Sequence, residues 1–283
     1  MDMILKANRP ITLISTIIII LFMISSCTTT AEKAAEGITV TNYETPLDFS
    51  GQGYADYLVT SPAGGMPVFF GSVQRMSNRD DEAAAALLNA SEQASKFIAV
   101  KAVSKFYTEK LNTSMRYKHD LDVIWDRKLA IEMIDRLEVS RIIQDTYGTY
   151  ITAVLPDEAI DGIPWQQSSN GGVPSWTSRI PDIPGYIVSV GIALQTGYTA
   201  DSFAAADDQA LEDLARQVSV QLLSGRKLIE NSVGTASWQT NLETSEVVIP
   251  GFYIIERWRT PDAHYYYSLA AAPASIIEKY KDD

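Results

Sequence analysis

Apolar and polar positions along the chain form one pattern twice, at an offset of 120 residues. Each copy has an apolar, strand-like stretch, then a glycine and a polar turn, then an alanine-rich stretch with helical spacing. The copies span residues 68–104 and 188–224 and align without a gap, so that Gly71 meets Gly191 and Ala90 meets Ala210. This pattern predicts an internal duplication.

The first copy predicts a strand and then a long helix. Ser77 or Asn78 is the candidate N-cap, and the helix is expected from about Asp80 to Leu111. Its apolar positions are rich in alanine, which would let a sheet face approach closely. The expected apolar stripe is Leu87, Ala90, Ala94, Phe97, Ile98, Ala102 and Phe106. In the second copy the stripe is Ala210, Leu214, Val218 and Leu222, and Gly225 is expected to end or kink that helix.

Each helix is followed by residues that predict two strands joined by a turn. The turns contain Asp145 in the first copy and Asp262 in the second. Residues 121–137 predict an extra helix in the first copy only. The fold class is therefore expected to be α+β, with two tandem β-α-β-β units, each an antiparallel sheet packed on one long helix.

The start of the chain resembles a bacterial lipoprotein signal. Basic residues precede an uncharged, mostly apolar run at 11–24, and Ile24-Ser25-Ser26-Cys27 resembles a lipobox. Cys27, the single cysteine, would then carry a diacylglycerol and an amide-linked acyl chain that hold the protein to a membrane. The alternative is an ordinary secretory signal with a chance cysteine. No aspartate follows Cys27, which by resemblance to enteric sorting rules favours the outer membrane.

These signals divide the chain into five parts. They are a signal peptide at 1–26, a tether at 27–50, a first α+β repeat at 51–156, a linker at 157–176 and a second repeat at 177–283.

Composition narrows the classes of function. The net charge is −12, so nucleic-acid binding is disfavoured. With Cys27 acylated, no thiol remains for a disulfide or a metal site, and no cofactor is expected. His119, His264 and the acidic runs at 80–82 and 207–213 are interpreted as structural or solvated groups. A non-enzymatic protein is expected, although a hydrolase assembled from distant residues stays open.

Five aromatic residues are the candidate partner contacts. Trp165 and Trp176 lie in the linker, where they either pack back onto the fold or act as exposed anchors. Strand alternation places Tyr265 and Tyr267 on one face, and Tyr266 with His264 on the other. These tyrosines are interpreted as cross-strand packing or as a ligand-stacking face.

Residues 174–273 resemble the Lpp-twenty-type bacterial lipoprotein family, to which the N-terminal domain of flagellar-assembly protein T is related. The residues that carry the resemblance are Pro174, Trp176, Gly191, Ala206, Ala210, Trp258 and Tyr267. A weaker copy at 60–156 lacks counterparts of Trp176 and Trp258. The resemblance implies a β-α-β-β domain, an envelope location and no known enzymatic activity.

The sequence therefore predicts an acylated, non-enzymatic lipoprotein that binds an envelope protein partner or serves as a structural module of the envelope, near the flagellum or cell wall. The alternative is a lipoprotein that binds a glycan or a small ligand through an aromatic face.

Overall fold

The computed structural model describes residues 40–42, 65–111, 114–160, 162–165, 172–231 and 242–281. The predicted signal peptide, Cys27 and nearly all of the predicted tether lie outside these residues. Val40–Asp283 forms one compact unit. The domain boundaries expected within it, at 51, 157 and 177, stay predictions.

The elements run in the following order. They are β1 (Val40–Asn42), β2 (Val68–Gln74), α1 (Arg79–Ile98), β3 (Val100–Leu111), β4 (Ser114–Trp125), α2 (Arg127–Ile134), β5 (Glu138–Gln144), β6 (Gly148–Val154), β7 (Tyr186–Leu194), α3 (Thr199–Asn231), β8 (Leu242–Ile249), β9 (Tyr253–Arg259), β10 (Tyr265–Pro273) and α4 (Ser275–Lys281). This mixture of helices and mainly antiparallel strands is the predicted α+β class.

The strands form three sheets, with the orders β1-β5-β6-β2, β7-β10-β9 and β4-β3-β8. In the first two sheets the opening strand of each half pairs antiparallel with the closing strand, and the closing strand pairs with the one before it. β1 adds a parallel strand to the first sheet alone. The shared strand order fits a duplication, which stays a prediction.

Glycine lets each opening strand approach its helix closely. A Cβ on Gly71 would collide with backbone atoms of Ala86 and Ala90 in α1, and a Cβ on Gly191 would collide with those of Ala206 and Ala210 in α3. The alanine-rich stripes therefore lie directly on the sheets. The stripe of α3 is buried as predicted at Ala210, Leu214, Val218 and Leu222.

The long helix expected to reach Leu111 is wrong beyond Ile98. α1 ends there, and β3 begins at Val100. From Val100 the residues alternate in the period of a strand, and Val100 and Ala102 are buried. β3 pairs along its length with β4 and also with β8 of the second half. This pairing joins the two halves through the third sheet, so β8 does not belong to the second sheet.

Three smaller predictions also have outcomes in the structure. Asn78 is the N-cap of α1, and its side chain accepts a hydrogen bond from the backbone N–H of Asp80 at 3.1 Å. The extra helix expected at 121–137 is confirmed only for Arg127–Ile134, because residues 121–125 continue β4. Gly225 lies inside α3, so it does not end that helix.

Candidate functional site

The outer face of the second sheet, the face turned away from α3, is partly covered and partly exposed. Ile163 and Trp176 of the linker, and Ile183 after it, form one buried cluster with Val188 and Leu269 of this face. Beyond the covered part, the side chains of Ile192, Leu194 and Tyr265 are 49%, 59% and 40% exposed. We call these three residues, together with the half-buried Trp258 and Tyr267 beside them, the aromatic face.

Cross-strand pairing fixes the side chains of the aromatic face. Leu194 lies opposite Tyr265, and Ile192 lies opposite Tyr267. Tyr267 also lies opposite Trp258, with ring centroids 5.5 Å apart, and its ring centroid is 6.5 Å from that of Tyr265. Such pairs on a hydrogen-bonded sheet hold the rings in place. The face is therefore a rigid surface of aromatic and aliphatic groups.

The two linker tryptophans pack onto the second sheet. Trp176 is only 1% exposed, and its ring centroid lies 6.4 Å from that of Tyr267. Trp165 is half-buried, and its indole N–H donates a hydrogen bond to Oε2 of Glu256 at 2.9 Å. Of the two alternatives for these residues, both tryptophans adopt the first: they pack back onto the fold. Trp176 is not available to a partner on this surface.

Tyr266 lies on the opposite face from its two neighbours, as the alternation predicts. It is fully buried, with its ring centroid 4.9 Å from that of Phe203 in α3. Tyr266 is therefore removed from the candidate contacts, because a partner could not reach its side chain in this fold. Tyr265 and Tyr267 remain at the surface, and their contact role stays a prediction.

A buried ionic network lies between the two halves. Arg257 of β9 donates two-pronged hydrogen bonds to the Asp207 carboxylate, from Nε at 3.0 Å and from Nη2 at 2.8 Å. Ser268 donates to the same carboxylate at 2.6 Å, and Gln93 of α1 donates to it at 3.3 Å. The Arg257 guanidinium also lies over the ring of Phe70, 5.1 Å from its centroid. These bonds join α1, α3, β9 and β10, so the network has a structural role, although Nη1 of Arg257 has no hydrogen-bond partner among the described residues.

The burial of Asp207 corrects its interpretation as part of a solvated helix face. The spacing of residues along α3 could have indicated this burial. Asp207 lies four residues after Phe203 and three before Ala210, both of which are buried. Helical spacing therefore put the carboxylate on the packed side of α3.

Glu82 is a second buried carboxylate, at the start of α1. It accepts hydrogen bonds from the Thr149 hydroxyl at 2.7 Å, the Met76 backbone N–H at 2.8 Å and the Arg79 guanidinium at 2.7 Å. Burial by itself raises the pKa of Glu82, but these bonds outweigh it and hold the pKa below its usual value. Its neighbours Asp80 and Asp81 are exposed at the helix N-terminus.

The described part of the chain shows no histidine placed with a carboxylate and a serine. His264 is exposed in the β9–β10 turn with its ring centroid 4.7 Å from that of Tyr265. His119 lies in β4, where the structure describes its backbone only. The described residues also contain no cluster of three potential metal ligands. None of the helices described is long and apolar enough to cross a membrane.

Residues 174–272 match the model of the family described as LPP20 lipoprotein. This match confirms the predicted resemblance over that part of the chain and indicates a bacterial lipoprotein. No curated protein and no solved structure shows significant similarity to the chain. The relation to flagellar-assembly protein T stays a prediction.

The residues that carried the resemblance make structural contacts. Trp176 is buried, Gly191 lies against the helix backbone at the fully buried Ala206 and Ala210, and Trp258 packs on Tyr267. They explain why this sequence folds as it does, and none of them forms a reactive group.

Proposed function

We propose that this chain is a lipid-anchored protein of the bacterial cell envelope that binds another envelope protein without catalysing a reaction. In this proposal Cys27 carries the lipid, the outer membrane is the location, and the aromatic face is the binding surface. The family match at 174–272 supports the lipoprotein character. The net charge of −12 argues against nucleic acid as a partner.

The aromatic face is the observation that carries the binding role. Exposed large apolar groups that adjoin one another often mark interaction sites on soluble proteins. Here Ile192, Leu194 and Tyr265 are exposed on paired strands that are already ordered. A partner could bury them at little cost in side-chain entropy, since the cross-strand pairs hold them in position.

Glycan binding is the second candidate, because the ring of Tyr265 is exposed. This ring also forms a T-shaped pair with His264. Sugars stack on aromatic rings, whereas two of the three exposed side chains here, Ile192 and Leu194, are branched aliphatic groups. Ile192 and Leu194 lie directly beside the tyrosines. This composition favours a protein surface as the partner.

A photo-crosslinking residue placed at Tyr265 in intact cells tests the binding role. We expect a discrete crosslinked protein that disappears when Leu194→Glu is added. The matched control places the same residue at Ile131, which is 63% exposed on α2 and far from the aromatic face in sequence. Equal products at both positions, or none at Tyr265, would overturn the proposal. Crosslinking to saccharide would support the glycan alternative.

The anchor has a separate test. Cys27→Ser should abolish the incorporation of labelled fatty acid and leave the signal peptide uncleaved by the lipoprotein peptidase. Retention of the label at the wild-type level would contradict lipidation at Cys27.

A further inference from the structure

β7 is an edge strand of the second sheet, whose order is β7-β10-β9. In an antiparallel pair, successive residues point their backbone groups alternately toward and away from the neighbour. The backbone N–H of Gln195 donates to the carbonyl oxygen of His264, next to β10, at 3.0 Å, so Gln195 points toward β10. The carbonyl oxygen of Val188 instead accepts from the side chain of Gln217 in α3 at 3.1 Å, so Val188 points away from β10. The backbone groups of Val190, Ile192 and Leu194 therefore point outward, as those of Val188 do.

The corresponding edge in the first half is protected. Ser72 of β2 accepts at its carbonyl from the Asn89 side chain at 2.5 Å. Val68 accepts at its carbonyl from the Tyr253 hydroxyl at 2.8 Å, and its N–H donates to the same oxygen at 3.0 Å. Side chains from β9 and α1 thus occupy outward backbone groups of β2 at Val68 and Ser72.

The edge of β7 lacks this protection beyond Val188. Gln209 lies 120 residues after Asn89, but its amide donates to Asp213 on its own helix at 3.4 Å. Among the described residues, no side chain hydrogen-bonds the outward backbone groups of Val190, Ile192 or Leu194. The uncovered stretch has Ile192 at its centre, because Gln217 covers Val188 and the strand ends at Leu194.

The side chains near this edge lack the usual guards against strand pairing. Soluble proteins place lysine, proline or a bulge on exposed edges to prevent association. Residues 186–198 contain no charged side chain and no proline, although the chain carries a net charge of −12. Ile192 and Leu194 are instead exposed. Two acidic copies of the chain could pair along this strand without placing like charges of the strand opposite each other, and a basic partner would find no complementary charge on the strand.

We propose that β7 pairs antiparallel with β7 of a second copy of this chain, around a two-fold axis at Ile192. Ile192 would then lie opposite Ile192 of the second copy, and Val190 opposite its Leu194. The contact is isologous and closes after two copies. It continues the second sheet across both molecules and brings the two aromatic faces side by side. Ile192 and Leu194 also belong to the aromatic face, but the pairing uses the backbone edge of β7 and does not require the proposed partner protein.

Oxidative crosslinking of the full-length chain in cells tests the pairing. Residues opposite each other in a hydrogen-bonded antiparallel pair have Cα atoms about 5.5 Å apart, which suits a disulfide. Ile192→Cys should therefore give a covalent dimer under mild oxidation. Wild type, with Cys27 alone, and Ile131→Cys, at another exposed isoleucine, should not. Equal dimer yields for Ile192→Cys and Ile131→Cys would overturn the pairing.

Sedimentation of the purified full-length protein supplies a second measurement. Wild type and Ile131→Lys should be dimers at tens of micromolar, and Ile192→Lys should be a monomer with an unchanged thermal midpoint. A monomeric wild type would overturn self-pairing. It would do so even if Ile192→Lys abolished the binding of a different protein. Identification of the product crosslinked from Tyr265 distinguishes a second copy of this chain from a different protein, so the two proposals can fail separately.

Discussion

Gly71 and Gly191 lie at matching points of the two halves, each where the opening strand crosses its helix. At both positions a Cβ would overlap the carbonyl oxygen of one helix alanine and the amide nitrogen of another, four residues later. The alanines, Ala86 with Ala90 and Ala206 with Ala210, are all fully buried. The spacing between sheet and helix is thus set by the absence of a side chain on both surfaces.

Replacing Gly191 with alanine should lower the free energy of unfolding by about 3 kcal/mol, the upper part of the range for overpacking. The clash is with helix backbone, which cannot rotate away as a side chain could. Urea denaturation followed by circular dichroism measures the change. Gly197→Ala is the matched control, because nothing lies within 4 Å of its Cβ position. Equal midpoints for the two variants would show that the helix shifts without cost.

Local patterns in the sequence predicted much of this fold. The α+β class, the N-cap at Asn78, the buried stripe of α3 and the turns at Asp145 and Asp262 all follow from neighbouring residues. The end of α1 could not be predicted in this way, because Ala102 and Phe106 fit the helical spacing as well as a strand alternation. Pairing of β3 with β8, far along the chain, settles the choice. Such pairing cannot be read from a local window.

The candidate site was predictable only in part. Alternation in β10 correctly separated Tyr265 and Tyr267 from Tyr266. The contribution of Ile192 and Leu194 was missed, because it depends on the register between β7 and β10. The burial of Trp176 depends likewise on the path of the linker over the sheet.

The Asp207–Arg257 pair should contribute strongly to stability. Both side chains are almost fully buried, and Asp207→Asn would leave the Arg257 charge without its carboxylate. Removing one partner of a buried pair typically costs about 3–5 kcal/mol. Asp213→Asn on the same helix is the control, since its exposed pair with Arg216 is worth about 0.5 kcal/mol or less. Urea midpoints that fall equally in the two variants would contradict this difference.

Glu82 should make stability depend on pH in the acid range. Hydrogen bonds from Thr149, Met76 and Arg79 hold the folded pKa of Glu82 below its usual value. A carboxyl with a lowered folded pKa stabilises the fold above the unfolded pKa, and this contribution is lost as the pH falls through the folded pKa. The difference in urea midpoint between wild type and Glu82→Gln should therefore be largest near neutral pH and shrink below about pH 4. Glu132→Gln, at an exposed position of α2, is the matched control. A constant difference for Glu82→Gln would contradict the assignment.

Trp176 should act as the packing residue that fixes the linker on the second sheet. It is 1% exposed and its indole nitrogen makes no hydrogen bond with the described residues, so its contribution comes from packing. Trp176→Ala should cost about 3–5 kcal/mol and lower the thermal midpoint by about 6 °C or more. Trp176→Phe should cost less, because it fills most of the space and loses no hydrogen bond. Ile180→Ala, at an exposed residue just after the linker, should leave the midpoint unchanged. If Trp176→Ala melts like wild type, the linker does not depend on this contact, and Trp176 becomes a candidate partner residue again.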